Sequence, residues 1–211
     1  MKIGILGSGL MGGTLGRLWA ASGHQVTFAY SRDDARRAAM AERHGAASGT
    51  VAEAVAGADA LMLAVHWSRT AEVLDLAGDL ASRTVLTCCV PLDEANESLV
   101  VSTTSSGAEE LARMRPGARW VSCFSANPSE SFEPVFRRKG EDQPPQVLTC
   151  TDHEDARALA GDLIRDIGFE PLACGPLRNA RFIEPFAMAT VELAYVQPGG
   201  PALTYRFNKL R

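Results

Sequence analysis

Residues 7–12 form the pattern G-x-G-x-x-G and read in order Gly7, Ser8, Gly9, Leu10, Met11 and Gly12. This pattern is typical of a turn that binds the pyrophosphate of a dinucleotide. Its first glycine permits a tight turn, its second lets phosphates approach backbone N–H groups, and its third lets a helix pack closely on the preceding strand. Because unpaired amides and the positive end of the helix dipole lie at such a helix N-terminus, an anion binds there without a basic side chain.

With 19 glycines in 211 residues, this pattern also occurs by chance. The segments around it therefore have to distinguish a binding turn from a structural one. Residues 3–6 form an apolar run short enough to be one buried strand. Apolar residues then keep helical spacing through residues 10–19, Gly23 suits the end of that helix, and residues 26–30 form a second strand. This order predicts a dinucleotide-binding unit; the alternative is a glycine turn with a purely structural role.

Ser31 and Arg32 follow the second strand, at the place where NAD-binding proteins usually carry an acidic residue. A carboxylate there accepts from the ribose hydroxyl of NAD and repels a 2′-phosphate, whereas a hydroxyl and a guanidinium donate to the phosphate. Arg36 lies one helical turn beyond Arg32. These residues predict NADP as the cofactor. In the alternative interpretation, Arg32, Arg36 and Arg37 are only the solvated face of a surface helix.

His66 and Trp67 follow a third apolar run, residues 60–65, and Pro91 lies in the loop after the next strand. Loops at the carboxyl ends of parallel strands build the ligand crevice of an open α/β sheet. We therefore expect these three residues to contact the second substrate, which accepts a hydride from the cofactor. His66 also has the chemistry of a proton donor. In the alternative interpretation, Trp67 packs against the next helix and His66 is a solvated loop residue.

The remaining chain supplies the elements that position these residues. Helices alternate with buried strands at residues 84–87, 120–124, 146–150 and 169–172. This alternation predicts right-handed βαβ units and a doubly wound, mainly parallel α/β sheet. Thr50 and Glu53 have the spacing of a capping box, and Asp152 is expected to cap the helix that reaches residue 167. Residues 130–146 contain three prolines and are expected to form an irregular loop.

Residues 175–211 are expected to form a small helical appendix on a cofactor-binding domain of residues 1–174. Apolar residues recur at helical spacing in this appendix: Phe182, Phe186, Ala189 and Leu193. The resulting face is broader than one short helix needs, which predicts a homodimer contact; packing on the same subunit's core is the alternative. Pro185 is expected to kink this helix or to mark a restart.

The composition excludes several classes of protein. The net charge is −4 and no long basic run occurs, which argues against nucleic acid as the main partner. The chain leads directly into the first strand without a charged leader or a long apolar segment, so we expect a cytoplasmic protein with no membrane partner. The five cysteines have no metal-binding spacing, and we expect most of them to be buried and reduced, with no metal site.

Several of these patterns together resemble the NADPH-dependent coenzyme F420 oxidoreductases and the small dinucleotide-binding reductases related to them. The likeness extends over essentially the whole chain. It is carried by the turn at residues 7–12, Ser31-Arg32, residues 63–67, residues 103–111 and residues 175–181. The last of these segments, Gly175-Pro176-Leu177-Arg178-Asn179-Ala180-Arg181, is the most specific.

The resemblance implies a Rossmann-type domain that carries NADP, with F420 stacked near the nicotinamide under the helical appendix. It implies that residues 8–11 hold the pyrophosphate and that Ser31, Arg32 and Arg36 hold the 2′-phosphate. It further implies that the nicotinamide side is lined by Val65, Trp67, Val90 and Ala126. The chain departs from the family at His66, where proline is common, and at residues 124–127, where a Phe-Asn-Thr-like run is common. These departures concern the hydride acceptor rather than NADP.

We therefore expect an NADP-dependent oxidoreductase that moves a hydride between NADPH and a planar acceptor, with F420 as the first candidate. Such a transfer requires the donor and acceptor carbons to be held face to face with water excluded, which agrees with the lack of a catalytic triad in the sequence. One alternative is the same fold reducing an imine, a free flavin or a chelated metal. Another is a non-enzymatic NADP-sensing protein, because fold alone does not fix function.

Overall fold

The computed structural model describes residues 1–210, and its centre is a parallel sheet of six strands in the order β3-β2-β1-β4-β5-β6. The strands are β1 (Lys2–Leu6), β2 (Gln25–Ala29), β3 (Ala47–Ser48), β4 (Ala60–Leu63), β5 (Thr84–Thr87) and β6 (Arg119–Ser122). The chain starts in the middle of the sheet and winds first to one edge and then to the other. This order confirms the predicted doubly wound, Rossmann-type α/β fold.

Eight helices connect and cover the strands within the described residues. They are α1 (Leu10–Ala21), α2 (Asp34–Arg43), α3 (Val51–Ala56), α4 (Thr70–Ala77), α5 (Gly107–Met114), α6 (Phe132–Arg137), α7 (Glu154–Asp166) and α8 (Ala180–Val191). Two further strands, β7 (Gln146–Thr149) and β8 (Glu170–Ala173), form a small parallel sheet. An antiparallel bridge between Ser122 and Cys150 joins this small sheet to β6.

The sheet is buried on both faces, which explains why its central strands read as continuous apolar runs. One apolar cluster contains Ile3, Ile5 and Trp19 beneath α1 and α7, and a second contains Leu6 and Leu63 beneath α3, α4 and α5. The buried Trp19 indole N–H donates to the carbonyl of Leu163 at 2.9 Å, which ties α1 to α7. Both layers are therefore fixed around the strand that leads into the glycine turn.

Local sequence signals are partly confirmed. Thr50 and Glu53 form the predicted capping box at the start of α3. Asp152 does not cap α7, because its carboxylate instead accepts from the backbone N–H of Leu177 at 3.1 Å, and His153 is the capping position. The helix α8 runs through Pro185 as one element, so the predicted restart does not occur, and it continues as a π-helical turn over Glu192–Val196.

The prediction of an irregular loop over residues 130–146 is wrong in its first part. A short 3-10 turn leads into α6, where Pro134 occupies the third helical position and costs no interior hydrogen bond. Phe132 anchors this helix in the core, with ring centroids 5.6 Å from Phe124 and 5.7 Å from Phe169. The two-residue strand β3 was not predicted, because it is exposed and too short to show a pattern.

The C-terminal segment folds back onto the domain. The backbone N–H of Gln146 in β7 donates to the carbonyl of Tyr205 at 3.0 Å. The rings of Phe186, Tyr205 and Phe207 pack together with centroids between 5.6 and 6.3 Å apart. The helical C-terminal element predicted from the sequence is thus present. No helix within residues 1–210 is long and apolar enough to cross a membrane.

Candidate dinucleotide-binding site

A groove of about 1000 Å³ lies at the carboxyl ends of the central strands. It brings together the glycine turn after β1, the residues after β2 and the residues after β4. The predicted site residues that line it are Gly7, Ser8, Gly9, Leu10, Ser31, Arg32, Arg36, Val65 and His66. Segments separated by up to 59 positions in the sequence therefore share one surface, as the topology requires.

The glycine turn has the geometry that its pattern predicts. Gly7 has a φ of 113°, a conformation that side chains rarely adopt. A Cβ on Gly12 would lie 1.9 Å from the carbonyl oxygen of Gly7, so only glycine lets α1 begin this close to β1. A Cβ on Gly9 would meet no atom within 4 Å, which leaves space for a phosphate.

The N-terminus of α1 is open toward this space. Its capping residue is Gly9, which has no side chain to bond the first amides of the helix. Ser8 is occupied differently, because both its N–H and its hydroxyl donate to the carbonyl of Tyr30, at 3.1 and 3.2 Å. The amides of Leu10 and Met11, at the start of α1, therefore have no side-chain cap, while Ser8 ties the turn to the end of β2.

The residues after β2 form a basic end of the groove. The hydroxyl of Ser31 accepts from the N–H of Asp33 at 3.0 Å, and the Asp33 carboxylate caps α2. Arg37 is held by the Ser48 hydroxyl and the Asp34 carboxylate at 2.9 and 2.6 Å. By contrast, Arg32 and Arg36 are exposed, line the groove and have no side-chain partner within residues 1–210. The guanidinium groups of Arg32 and Arg36 are thus available to an anion at this end.

His66 is fixed by hydrogen bonds at both ring nitrogens. Its Nε2 lies 3.1 Å from the carbonyl oxygen of Asp93, so this nitrogen carries the proton and donates. Its Nδ1 accepts from the N–H of Ser68 at 3.3 Å and from the Ser68 hydroxyl at 2.9 Å. Since both nitrogens are engaged, this arrangement gives no support to proton transfer by His66.

The other residues predicted to contact the acceptor or the nicotinamide are not among those that line the groove. Trp67 begins a 3-10 turn and packs on the apolar cluster beneath α3 and α4. Pro91 is buried against Gly107 at the start of α5. Val90 is half-buried, and Ala126 is buried in the loop after β6. Acceptor contact by these side chains stays a prediction.

Sequence patterns did not point to Glu184, a buried carboxylate on α8. It is 2% exposed and accepts from the backbone N–H groups of Gly107 and Ala108 at 2.7 and 3.0 Å. Burial raises the pKa of Glu184 to about 7, although the two amide bonds act in the opposite direction. Arg181, one turn earlier, donates two hydrogen bonds to Glu109 at 2.7 and 2.6 Å. We call these contacts the α8–α5 clamp.

The clamp lies directly behind the loop that follows β5. A Cβ on Gly107 would lie 3.0 Å from the Pro91 ring and 3.3 Å from the carbonyl oxygen of Cys89. The sequence signal for this clamp is Glu184 itself, an acidic residue within an apolar helical stripe, because a charge on a buried face needs a partner. The C-terminal helix thus fixes the loop that carries Val90.

Asn127 is a second link between the C-terminal segment and the crevice edge. It is 3% exposed, and its amide nitrogen donates to the carbonyl of Gln146 at 3.1 Å. The Tyr205 hydroxyl donates to the amide oxygen of Asn127 at 3.1 Å, and burial raises the pKa of that phenol. Phe124, at the start of this loop, has a φ of 62°. These bonds hold the loop that contains Ala126.

The cysteines do not supply a nucleophile. All five are free within the described chain, and burial is the main reason that the pKa of each thiol is raised. The pKa of Cys89 rises to about 11. Because the thiolate is the reactive form, these side chains are inert at neutral pH.

Comparison with known proteins agrees with the geometry. Residues 2–91 match the family described as NADP oxidoreductase coenzyme F420-dependent. The rat metalloreductase STEAP3 is 28% identical over 183 residues, which are 87% of this chain and 36% of the rat protein. The chain therefore spans little more than a third of that relative. The family match confirms the predicted resemblance over residues 2–91.

Solved structures confirm the fold. A candidate F420-dependent NADP-reductase from Arthrobacter sp. FB24 superposes with a TM-score of 0.81 at 23% identity, over 92% of this chain and 93% of that chain. A reductive aminase from Aspergillus terreus in complex with NADPH and ethyl levulinate has a TM-score of 0.64 at 17% identity, over 89% of this chain and 60% of that chain.

The α8–α5 clamp predicts a pH-dependent stability. Because the folded protein holds the proton of Glu184 up to a pH of about 7, against 4.5 for an unperturbed glutamate, its contribution is full below pH 4.5 and is lost as the pH rises through 7. The loss amounts to at most about 3 kcal/mol. Urea unfolding at pH 5 and pH 8 should show this decrease in the wild type and not in Glu184→Gln.

The matched control is Glu192→Gln, which changes an exposed acid on the following turn. This variant should keep the wild-type pH dependence. Equal pH dependence of the unfolding free energy in the wild type and Glu184→Gln would show that Glu184 does not carry the effect.

Proposed function

We propose that the protein transfers a hydride between NADPH and a planar acceptor, and that the deazaflavin coenzyme F420 is that acceptor. The observation that carries the proposal is one continuous groove that joins an uncapped helix N-terminus to two guanidinium groups without side-chain partners among the described residues. The helix end suits a pyrophosphate, and the guanidinium groups suit a further phosphate on the adenosine ribose. NADP carries both groups, and NAD lacks the second.

Each part of the cofactor has residues in this proposal. The amides of Leu10 and Met11 bind the pyrophosphate, with Gly9 leaving room for it. The 2′-phosphate is bound by Ser31, Arg32 and Arg36. The nicotinamide lies at the apolar edge formed by Val65, Val90 and Ala126, with Trp67 supporting the loop from behind. The Asp33 carboxylate accepts from the N–H of Arg36 and so caps α2.

The residues at the acceptor side contribute position rather than acid–base chemistry. When bound, NADPH supplies a hydride, and the reduced acceptor takes up a proton from water. The α8–α5 clamp and the Asn127–Tyr205 bond hold the two loops that form the apolar edge. His66 has both nitrogens engaged, so it does not stand ready as a proton donor beside Val65. Such a site favours an acceptor that must be stacked against the nicotinamide but needs no proton from a protein side chain.

Two rivals follow from the comparisons and from the fold. Reductive aminases share the fold at a TM-score of 0.64, and the rat relative is a metalloreductase, so imines and chelated metals are alternative acceptors, as are free flavins. A protein that binds NADPH only to report its level is the second rival. Turnover distinguishes the rivals, because each acceptor class has its own product and the sensor has none.

The first prediction concerns the acceptor. With NADPH held constant, the purified protein should oxidise NADPH fastest with F420 in a panel that also contains FMN, a cyclic imine and ferric citrate. The absorbance of reduced nicotinamide is followed, and reactions without protein are the control. Tight NADPH binding with no oxidation by any acceptor would favour the sensor, and faster turnover with another member would reassign the acceptor.

The second prediction concerns the cofactor. A charge-assisted hydrogen bond to phosphate contributes about 1.5–3 kcal/mol, so Arg32→Ala should weaken NADPH binding roughly ten- to hundredfold and leave NADH binding nearly unchanged. Ser31→Asp should shift preference toward NADH, because a carboxylate repels the 2′-phosphate and accepts from a free ribose hydroxyl. Fluorescence titration of both cofactors measures these affinities.

Arg37→Ala is the matched control for this titration, because Arg37 lines the same groove but its guanidinium group is held by Asp34 and Ser48. It should retain the wild-type preference for NADPH. Equal affinity of the wild type for NADPH and NADH would refute the assignment of Ser31, Arg32 and Arg36.

We further propose that residues 1–174 carry the cofactor and that the helical appendix that follows forms a homodimer contact. Two large side chains of the predicted apolar stripe are exposed, Phe182 at 70% and Leu193 at 54%, and Val196 in the π-helical extension is 66% exposed. Phe186 is not part of the open face, because its ring packs against Tyr205 and Phe207. The remaining exposed side chains are the surface for a second copy.

Sedimentation tests the dimer. The wild type should sediment as a dimer at micromolar concentration and Phe182→Asp as a monomer, because a buried charge without a partner opposes association. Leu76→Asp, on the exposed side of α4 where the side chain is 53% exposed, is the control and should remain dimeric. A monomeric wild type at this concentration would contradict the proposal.

A further inference from the structure

Residues 91–100, which follow the loop after β5, fold into a small hairpin. Leu92 pairs with Leu99 in an antiparallel bridge. The N–H of Asp93 donates to the carbonyl of Ser98 at 2.9 Å, and a second bond of 2.8 Å from the N–H of Val100 to the carbonyl of Pro91 closes the base of the hairpin. The segment is therefore an ordered projection from the carboxyl edge of the sheet.

The tip of the hairpin is tightly turned and borders the groove. Asn96 has a φ of 62°, and its N–H donates to the carbonyl of Asp93 at 3.1 Å. Glu94 and Asn96 line the same groove as Gly9 and Arg69. Neither residue belongs to the glycine turn or to the basic end. The hairpin thus forms a further wall of the cofactor groove.

His66 anchors this wall from the neighbouring loop. Its Nε2–H donates to the carbonyl of Asp93 at 3.1 Å, across 27 positions in the sequence. The bonds from Ser68 to Nδ1 fix the ring so that Nε2 points at the hairpin. A proline at position 66, as in the family that the sequence resembles, has no side-chain donor to make this bond. The anchor is accordingly specific to the residue that this chain carries.

We propose that the hairpin of residues 91–100 is a flap over the bound dinucleotide, that His66 holds it in place, and that Glu94 and Asn96 contact the ligand. The inference rests on the cofactor proposed above. A carboxylate cannot accept from a phosphate, so Glu94 faces ribose hydroxyls or the adenine amino group. The Asn96 amide donates and accepts, which suits a hydroxyl or a phosphate oxygen.

Proteolysis at the tip of the hairpin measures whether the bound dinucleotide covers it. Glu94 and Glu97 are exposed, so a glutamate-specific protease should cleave the free protein there. Saturating NADPH should slow this cleavage at least about fivefold, because the ligand covers the tip. Glu141, exposed on the loop after α6, is the internal control, and cleavage after it should not change.

Variants then separate the anchor from the contacts. His66→Ala should speed cleavage at the tip of the free protein and weaken NADPH binding, whereas His66→Gln, whose amide can still donate to Asp93, should restore both. Asn96→Ala and Asn96→Gly should both weaken NADPH binding roughly two- to tenfold, the range of one lost hydrogen bond, and glycine keeps the left-handed backbone of this position without the amide.

The outcomes distinguish the two proposals. If the wild type does not bind NADPH at all, the proposed function fails. If it binds NADPH while cleavage after Glu94 and Glu97 is unaffected, or if His66→Ala and Asn96→Ala bind NADPH as the wild type does, the flap is overturned and the cofactor assignment stands.

Discussion

The close packing of α1 on β1 at Gly12 is the contact on which the site depends. A side chain there would meet the carbonyl oxygen of Gly7 at 1.9 Å, so any larger residue displaces the helix. Because the helix begins this near the strand and its capping residue is a glycine, its amides stay open to an anion. The basic residues after β2 and the apolar edge after β4 can bind one ligand together with these amides only because the start of α1 is held in this position.

The cofactor side of the site could be predicted because its signals are local. Spacing within residues 7–12 encodes the turn, and two-sided burial leaves apolar runs that mark the central strands. Ser31 and Arg32 follow from their position after β2. The capping box of Thr50 and Glu53 could also be predicted, because both residues lie within one helical turn. Helix capping by Asp152 could not be predicted correctly from neighbouring residues alone. Its carboxylate accepts from the backbone N–H of Leu177, which lies 25 positions away in the sequence.

The acceptor side could not be predicted in the same way, because residues far apart in the sequence build it. Glu184 meets Gly107 across 77 positions, and Tyr205 meets Asn127 across 78. The position of His66 in the sequence makes it a candidate proton donor, but in the structure both of its ring nitrogens form hydrogen bonds. The family match ends at residue 91, so it covers the glycine turn and the residues after β2 and β4 but not α5, α8 or the loop after β6.

A crystal structure of the protein with NADPH tests the central claim most directly. The account predicts the pyrophosphate at the amides of Leu10 and Met11, the 2′-phosphate within hydrogen-bonding distance of Arg32, and the nicotinamide against Val65 and Ala126. A cofactor bound in the reverse direction, or with its 2′-phosphate away from Arg32 and Arg36, would contradict it.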